Sequence, residues 1–233
     1  MSVGFCTLAI HAAYRRRARA LCRAAPRLSW TVLTDKPTDF ADLPILAIRH
    51  APTGPMAVDY FRLLPPTGNG RGAAAYHDKR FALAAVLRRH DTAIFLDADS
   101  RFETMPCAPI CPPGLAVAPV GRNTVAGHLE VCGTWRRASF VALAEYLTGD
   151  QSVLGEARWC HESCIAITKD GREGRFFEVW GAAAAFLQAR AVFSGEGGVI
   201  GLAAACAGWT VDYDALDPVL SAVRHEGGGP KIG

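Results

Sequence analysis

No stretch of the 233-residue chain is both long and apolar enough to cross a bilayer. The uncharged runs Pro106–Gly121 and Gly197–Val211 are broken by prolines and glycines respectively, and each falls short of the roughly 20 residues a spanning helix needs. A Gly-x4-Gly-Lys-Ser/Thr loop is missing, which excludes a P-loop kinase, and no Gly-x-Gly-x-x-Gly follows the first apolar run, which excludes a dinucleotide oxidoreductase of that design. Charge of one sign is also missing. With 25 Lys+Arg against 22 Asp+Glu the formal net charge is +3, too even for a dedicated nucleic-acid binder, so nucleic acid is not an expected partner. The amino-terminal basic cluster follows its short apolar stretch where a secretory signal would have it in front, so a soluble, cytoplasmic protein is expected, its eight cysteines free thiols. None of those cysteines forms a tight Cys-x-x-Cys pair. Cys107-x3-Cys111 with Cys160-His161-x2-Cys164 leaves a four-ligand zinc site as an alternative reading.

What is present is a foldable chain. Half the residues are apolar and a fifth charged, which rules out a disordered polymer. At this length one domain, residues 1–233, is the simplest organisation. β-leaning apolar runs at residues 3–10, 30–34 and 44–49 alternate with a helical stretch ending near Ala25. The Pro- and Gly-rich segment Ala51–Ala75 reads as a long loop. A helix follows from an Asp78 N-cap to about His90, with apolar positions at 81, 83, 86 and 87. Later strands are expected at 93–96, 115–120, 163–168 and 209–213, helices at 176–190 and 199–207, and a strand–helix mixture at 133–147. Such alternation predicts an α/β fold, a three-layer α/β/α sandwich with a mostly parallel central sheet. The dense basic run Arg15, Arg16, Arg17 and Arg19 is either a solvated helix face or an anion site.

The sharpest feature is Ile94-Phe95-Leu96-Asp97-Ala98-Asp99. Two carboxylates at i and i+2 beyond an apolar strand do not serve a core, because unpaired buried charge is costly. They make a hard-oxygen pair suited to Mg²⁺ or Mn²⁺, or they cap a turn.

The stretch from Arg80 to Asp99, RFALAAVLRRHDTAIFLDAD, resembles the metal-binding segment of nucleotide-sugar glycosyltransferases of the GT-A fold, closest to the glycogenin and bacterial lipopolysaccharide galactosyltransferase group. The resemblance implies that Asp97 and Asp99 hold Mn²⁺ (or Mg²⁺), Asp97 also lying near the donor ribose. It implies that Arg80 reaches the donor sugar or diphosphate. The opening CTLAIHAAY resembles that fold's first strand and nucleotide-contacting turn, so Thr7, Ala9 and Tyr14 are expected to line a uridine pocket, and Asp35 is either a donor ligand or a turn cap. The tail from His225 to Lys231 is similar to the group's closing segment, where His225 would be a third metal ligand and Lys231 would bind the diphosphate. Here Lys231 falls one residue late and no Trp follows. His161 and Glu162, just before the strand at 163–168, fall where the family lines its acceptor and sugar pocket, or are plain loop residues. Gly195-Glu196-Gly197-Gly198 resembles the group's acidic loop, placing Glu196 at the donor's anomeric carbon or, more simply, as a helix N-terminal charge.

The implied activity is transfer of a hexose from a nucleoside diphosphate sugar, a UDP-sugar first, to a glycan, lipid or small-molecule acceptor. Two other readings stand beside it: a haloacid-dehalogenase-type phosphatase using Asp97 and Asp99, and a non-catalytic nucleotide-binding scaffold.

Overall fold

The computed structural model describes residues 1–53, 58–59, 71–72, 74–107, 109–121 and 123–225, with the side chains of 58–59, 71–72, 74–75 and 225 outside that description. Most of the Ala51–Ala75 segment, and Lys231, therefore lie outside the described residues.

The first half begins with β1 (Val3–Ala9), α1 (His11–Ala24), β2 (Trp30–Thr34) and β3 (Leu46–Arg49). A two-residue pair, β4 (Val58–Asp59) and β5 (Arg71–Gly72), is antiparallel and lies where the sequence reads as loop. Then come α2 (Lys79–Leu87), β6 (Thr92–Leu96), β7 (Ser100–Phe102) and β8 (Gly114–Ala118). The second half holds α3 (Val125–Cys132), α4 (Arg137–Thr148), α5 (Val153–Glu156), β9 (His161–Thr168), α6 (Glu173–Gln188), α7 (Glu196–Cys206), β10 (Val211–Asp212), α8 (Asp217–Leu220) and β11 (Val223–His225).

Seven strands form one sheet in the order β10-β8-β9-β6-β1-β2-β3. All pairings in it are parallel except those of β9, which runs against both β6 and β8. The strands are apolar on both faces because each face carries its own core. In β6, Ala93 and Phe95 join Leu83, Val86, Phe140 and Trp180 on the side of α2, α4 and α6. Ile94 and Leu96 join Leu21, Cys22 and Val219 on the side of α1 and α8. The period-2 alternation of a strand sends successive side chains to opposite cores, which gives helices on both sides of a mostly parallel sheet.

Three expectations need correction. Residues 133–147 hold no strand: they are a 3-10 turn followed by α4, ended by Gly149 in the left-handed conformation (φ 70°). Asp78 occupies the N-cap position of α2 but its side chain makes no capping bond, since its carboxylate instead takes the Thr53 N–H at 3.0 Å, the Thr53 hydroxyl, and a hydrogen bond with His50 Nε2 at 2.8 Å. Of the apolar positions expected on the core face of α2, Leu83, Val86 and Leu87 are buried, with Lys79 and Ala82 beside them, but Phe81 is turned outward, 37% exposed.

The basic run on α1 divides. Arg15 binds Asp35 and Asp39, each at 2.7 Å, and Arg19 binds Asp42 at 2.6 Å and the Asp39 carbonyl, tying α1 to the 35–42 turn. Arg16 and Arg17 are on the exposed side.

Candidate functional site

The chain lays down β1, β2 and β3 in one direction across the sheet, then returns to place β6 on the other side of β1. The order reverses between β1 and β6. In open α/β sheets, ligands bind beyond the carboxyl ends of the strands at such a reversal. Asp97-Ala98-Asp99 follows β6 there, and His11, directly after β1, adopts φ 70°, a left-handed conformation uncommon for a residue with a side chain. β9 reaches the same edge from the opposite direction: Leu96 pairs with Cys164, and the Asp97 N–H donates to the Ser163 carbonyl at 3.0 Å. His161 and Glu162 are therefore part of a strand and stand beside Asp97. The α7 N-terminus closes the edge, with the Cys160 N–H donating to the Gly197 carbonyl at 3.1 Å.

At the centre stands Lys79, buried in the first turn of α2. Its Nζ is 2.9 Å from Asp97 Oδ1 and 2.7 Å from Glu196 Oε1, and it donates to the Glu162 carbonyl at 3.0 Å. An ammonium has three donors, and all three are used. Burial opposes the charge on Lys79, but Asp97, Glu196 and Glu162 outweigh it and hold the side chain protonated. Glu196 is 5% exposed, and burial, with Glu162 nearby, pushes its carboxyl up to about 7 against the opposing pull of Lys79. Glu162 presents a buried Oε2 with no hydrogen-bond partner among the described residues, the kind of orphaned acceptor that asks for an explanation. Tyr76 flanks the group, its phenol raised by burial and by the neighbouring Tyr14 and Glu196.

The expected site residues fall into two sets. Asp97 and Glu196 converge on Lys79, and Asp99 follows two residues after Asp97 at the same strand end. Asp99 Oδ2 is 3.8 Å from the Arg17 guanidinium, which also lies 5.9 Å from the centre of the Tyr14 ring, so Tyr14, 40% exposed, borders the edge. The backbone of His225 is in register with Ser100 across the β7–β11 pair, one residue beyond Asp99, though its side chain lies outside the described residues. Thr7 and Ala9 do not join: both are fully buried in β1, which leaves neither side chain open to a nucleotide, and Thr7 Oγ1 has no partner among the described residues. Asp35 is held by Arg15 and accepts from the His11 N–H at 3.3 Å; burial raises its carboxyl, but these partners prevail and keep it below its usual value. Arg80 also turns away. Its Nη1 donates to the His77 carbonyl at 2.7 Å on the α6 side of α2, and it is Lys79 that faces Asp97.

The donor set suits a hard divalent cation. Asp97 and Asp99 supply carboxylate oxygens at one strand end, and β11 brings the His225 backbone alongside. Among the described residues, no group of three or more His, Cys, Asp or Glu side chains is assembled for a metal.

Behind the site, His77 is buried and its Nδ1 accepts from Trp180 Nε1 at 3.1 Å. Burial, then the charges of Arg80 and Lys79, lower its pKa to about 3 against an unfolded value near 6.5. The folded state thus keeps His77 neutral while the unfolded chain binds a proton. Stability is lost as pH falls from about 6.5 toward 3, by up to about 1.4 kcal/mol per pH unit. Urea unfolding at pH 7, 6 and 5 checks this: the His77→Gln variant is expected to lose less stability over that interval than the wild type. Parallel profiles would contradict it.

The chain matches no family model and no curated protein.

Proposed function

We propose that this chain is a metal-dependent glycosyltransferase of the GT-A type that moves a hexose from a nucleoside diphosphate sugar, with UDP-sugar the first donor to test. The observation that carries the reading is Lys79 held between Asp97 and Glu196 where the strand order reverses. Its support is chemical. Asp97 and Asp99, with His225, would hold Mn²⁺ or Mg²⁺, whose chemistry is neutralisation of the donor diphosphate as it leaves. Lys79 fixes the rotamers of Asp97 and Glu196 and keeps compensating positive charge in a buried place. Glu196 and Glu162 add two further carboxyl groups beside Lys79, Glu196 buried and paired with its ammonium. Arg17, 53% exposed and paired with Asp99, is an exposed cation that would lie near the diphosphate. The reading carries with it a cytoplasmic enzyme acting on a glycan, lipid or small-molecule acceptor.

The test is thermal stability with UDP, GDP, CMP and ADP, each with and without Mn²⁺, on wild type and Asp99→Ala. A ligand at 100 times its Kd stabilises the native state by about 2.7 kcal/mol. For a chain of this size that is a rise of roughly 5–10 °C. The expected result is such a rise with one nucleoside diphosphate, dependent on Mn²⁺ and absent in Asp99→Ala. Constant melting temperatures with every nucleotide would sink the reading.

A further inference from the structure

A second compartment lies on the other side of α2, between its first turn and α6. It is a cavity of about 130 Å³ whose walls include His77, Arg80, Gly181, Ala184, Gln188 and Val192. A water needs roughly 10–15 Å³ of such space, so the cavity admits a ligand of several heavy atoms. Its two walls differ in chemistry. Gly181, Ala184 and Val192 make one side apolar.

The other side is made of donors. Arg80 has a side chain only 13% exposed; its guanidinium lies 4.1 Å from the Phe81 ring centre, and among the described residues one of its five N–H groups is bonded, to the His77 carbonyl. The nearest carboxylate, Asp78, is 3.7 Å away and is already occupied by Thr53 and His50. Burial of that guanidinium exceeds its compensation by Asp78, so its pKa is drawn down. His77 adds an independent observation. Trp180 can only donate, so His77 Nδ1 is an acceptor and the ring proton is on Nε2. That N–H belongs to a residue 4% exposed, and it has no partner among the described residues. Gln188, at the exposed rim, offers an amide.

We propose that this cavity is a binding site for a small aliphatic carboxylate. The carboxylate would pair with the planar guanidinium of Arg80 and accept from His77 Nε2, and a chain of two or three carbons would lie on Gly181, Ala184 and Val192. One under-compensated cation beside an apolar wall suits a monoanion with a hydrocarbon body better than a phosphate dianion. The site is separate from the Asp97 group, and the assignment stands whether or not a nucleotide binds there. It is nonetheless one residue from Lys79, so an occupant would rest against the turn that presents that ammonium.

Isothermal titration with propionate, butyrate and inorganic phosphate, at constant ionic strength, tests the assignment on the wild-type chain and two variants. Arg80→Gln removes the cation. Gly181→Leu fills the space, since only Arg80 Nε, at 3.8 Å, stands near an added Cβ there, and leucine favours the helix. The expected result is saturable propionate and butyrate binding near millimolar Kd, weakened at least tenfold in Arg80→Gln and abolished in Gly181→Leu, whose melting temperature stays at or above that of the wild type. Absence of saturable binding, equal binding by Gly181→Leu, or tighter binding of phosphate than of either carboxylate would overturn the proposal.

Discussion

Replacing Lys79 with methionine is expected to destabilise the chain by about 3–5 kcal/mol at pH 8, because it leaves Asp97 and Glu196 facing each other without their shared cation. That corresponds to a fall in melting temperature of roughly 6–20 °C. The effect depends on pH in a definite direction. Glu196 already has a raised carboxyl pKa of about 7, and loss of Lys79 raises it further. An acid whose folded pKa lies above its unfolded value contributes stability that is complete below the unfolded pKa, near 4.3, and is lost as pH rises through the folded one. The Lys79→Met deficit should therefore be smaller at pH 5 than at pH 8. The double variant Lys79→Met/Glu196→Gln should recover part of it, since the remaining amide carries no charge. Guanidinium unfolding at the two pH values measures all of this. A deficit below about 1 kcal/mol, on the scale of exposed ion pairs, would show that the triad is not buried as described.

Gly201→Ala should be as damaging for a steric reason. α7 is buried on every side over its first nine residues, and the segment carrying Arg158 and Cys160 lies directly against it. A Cβ at Gly201 would overlap the Arg158 carbonyl oxygen, and one at Gly197 would overlap that of Cys160. Neither carbonyl can simply swing aside. The Trp159 N–H is bonded to Asn123 at 2.8 Å and the Cys160 N–H to Gly197 at 3.1 Å, so the strand leading to Glu162 must move as a unit. We expect a loss of about 3 kcal/mol or more, although alanine is the better helix former by about 1 kcal/mol. Gly155→Ala is the matched control, because nothing lies within 4 Å of its added Cβ, and it should be neutral or stabilising by a few tenths of a kcal/mol. Comparable melting temperatures for the two variants would show that α7 can shift away without cost.

The sequence made some of this legible and hid the rest for identifiable reasons. The strand at 30–34 was readable to the residue, since WTVLT is a β-branched and aromatic run bounded by Ser29 and Asp35. The Asp97/Asp99 pair stood out because charge beyond an apolar strand has no place in a core. Lys79 was missed in favour of its neighbour Arg80, yet a signal existed. Position 79 lies one turn before 82 and 83 and two turns before 86, on the buried stripe of α2, and a lysine on such a stripe must have acidic partners. The direction of β9 was not readable, because a strand buried on both faces has the same composition whichever way it runs. That is why His161 and Glu162 read as a loop before a strand. The pairing of β11 with β7 joins residues more than a hundred positions apart, beyond the reach of local pattern.

The reversed strand also bears on how the chain is made. β6 has β1 as its neighbour on one side and β9 on the other, and β9 is synthesised some 70 residues later. Through that interval the nascent sheet β3-β2-β1-β6 ends in TAIFL, an apolar segment whose outward backbone groups await a partner. An unpaired apolar edge of this kind is a template for aggregation. Chains released early, between β6 and β9, should accumulate in the insoluble fraction, whereas release just after α6 would leave that edge covered.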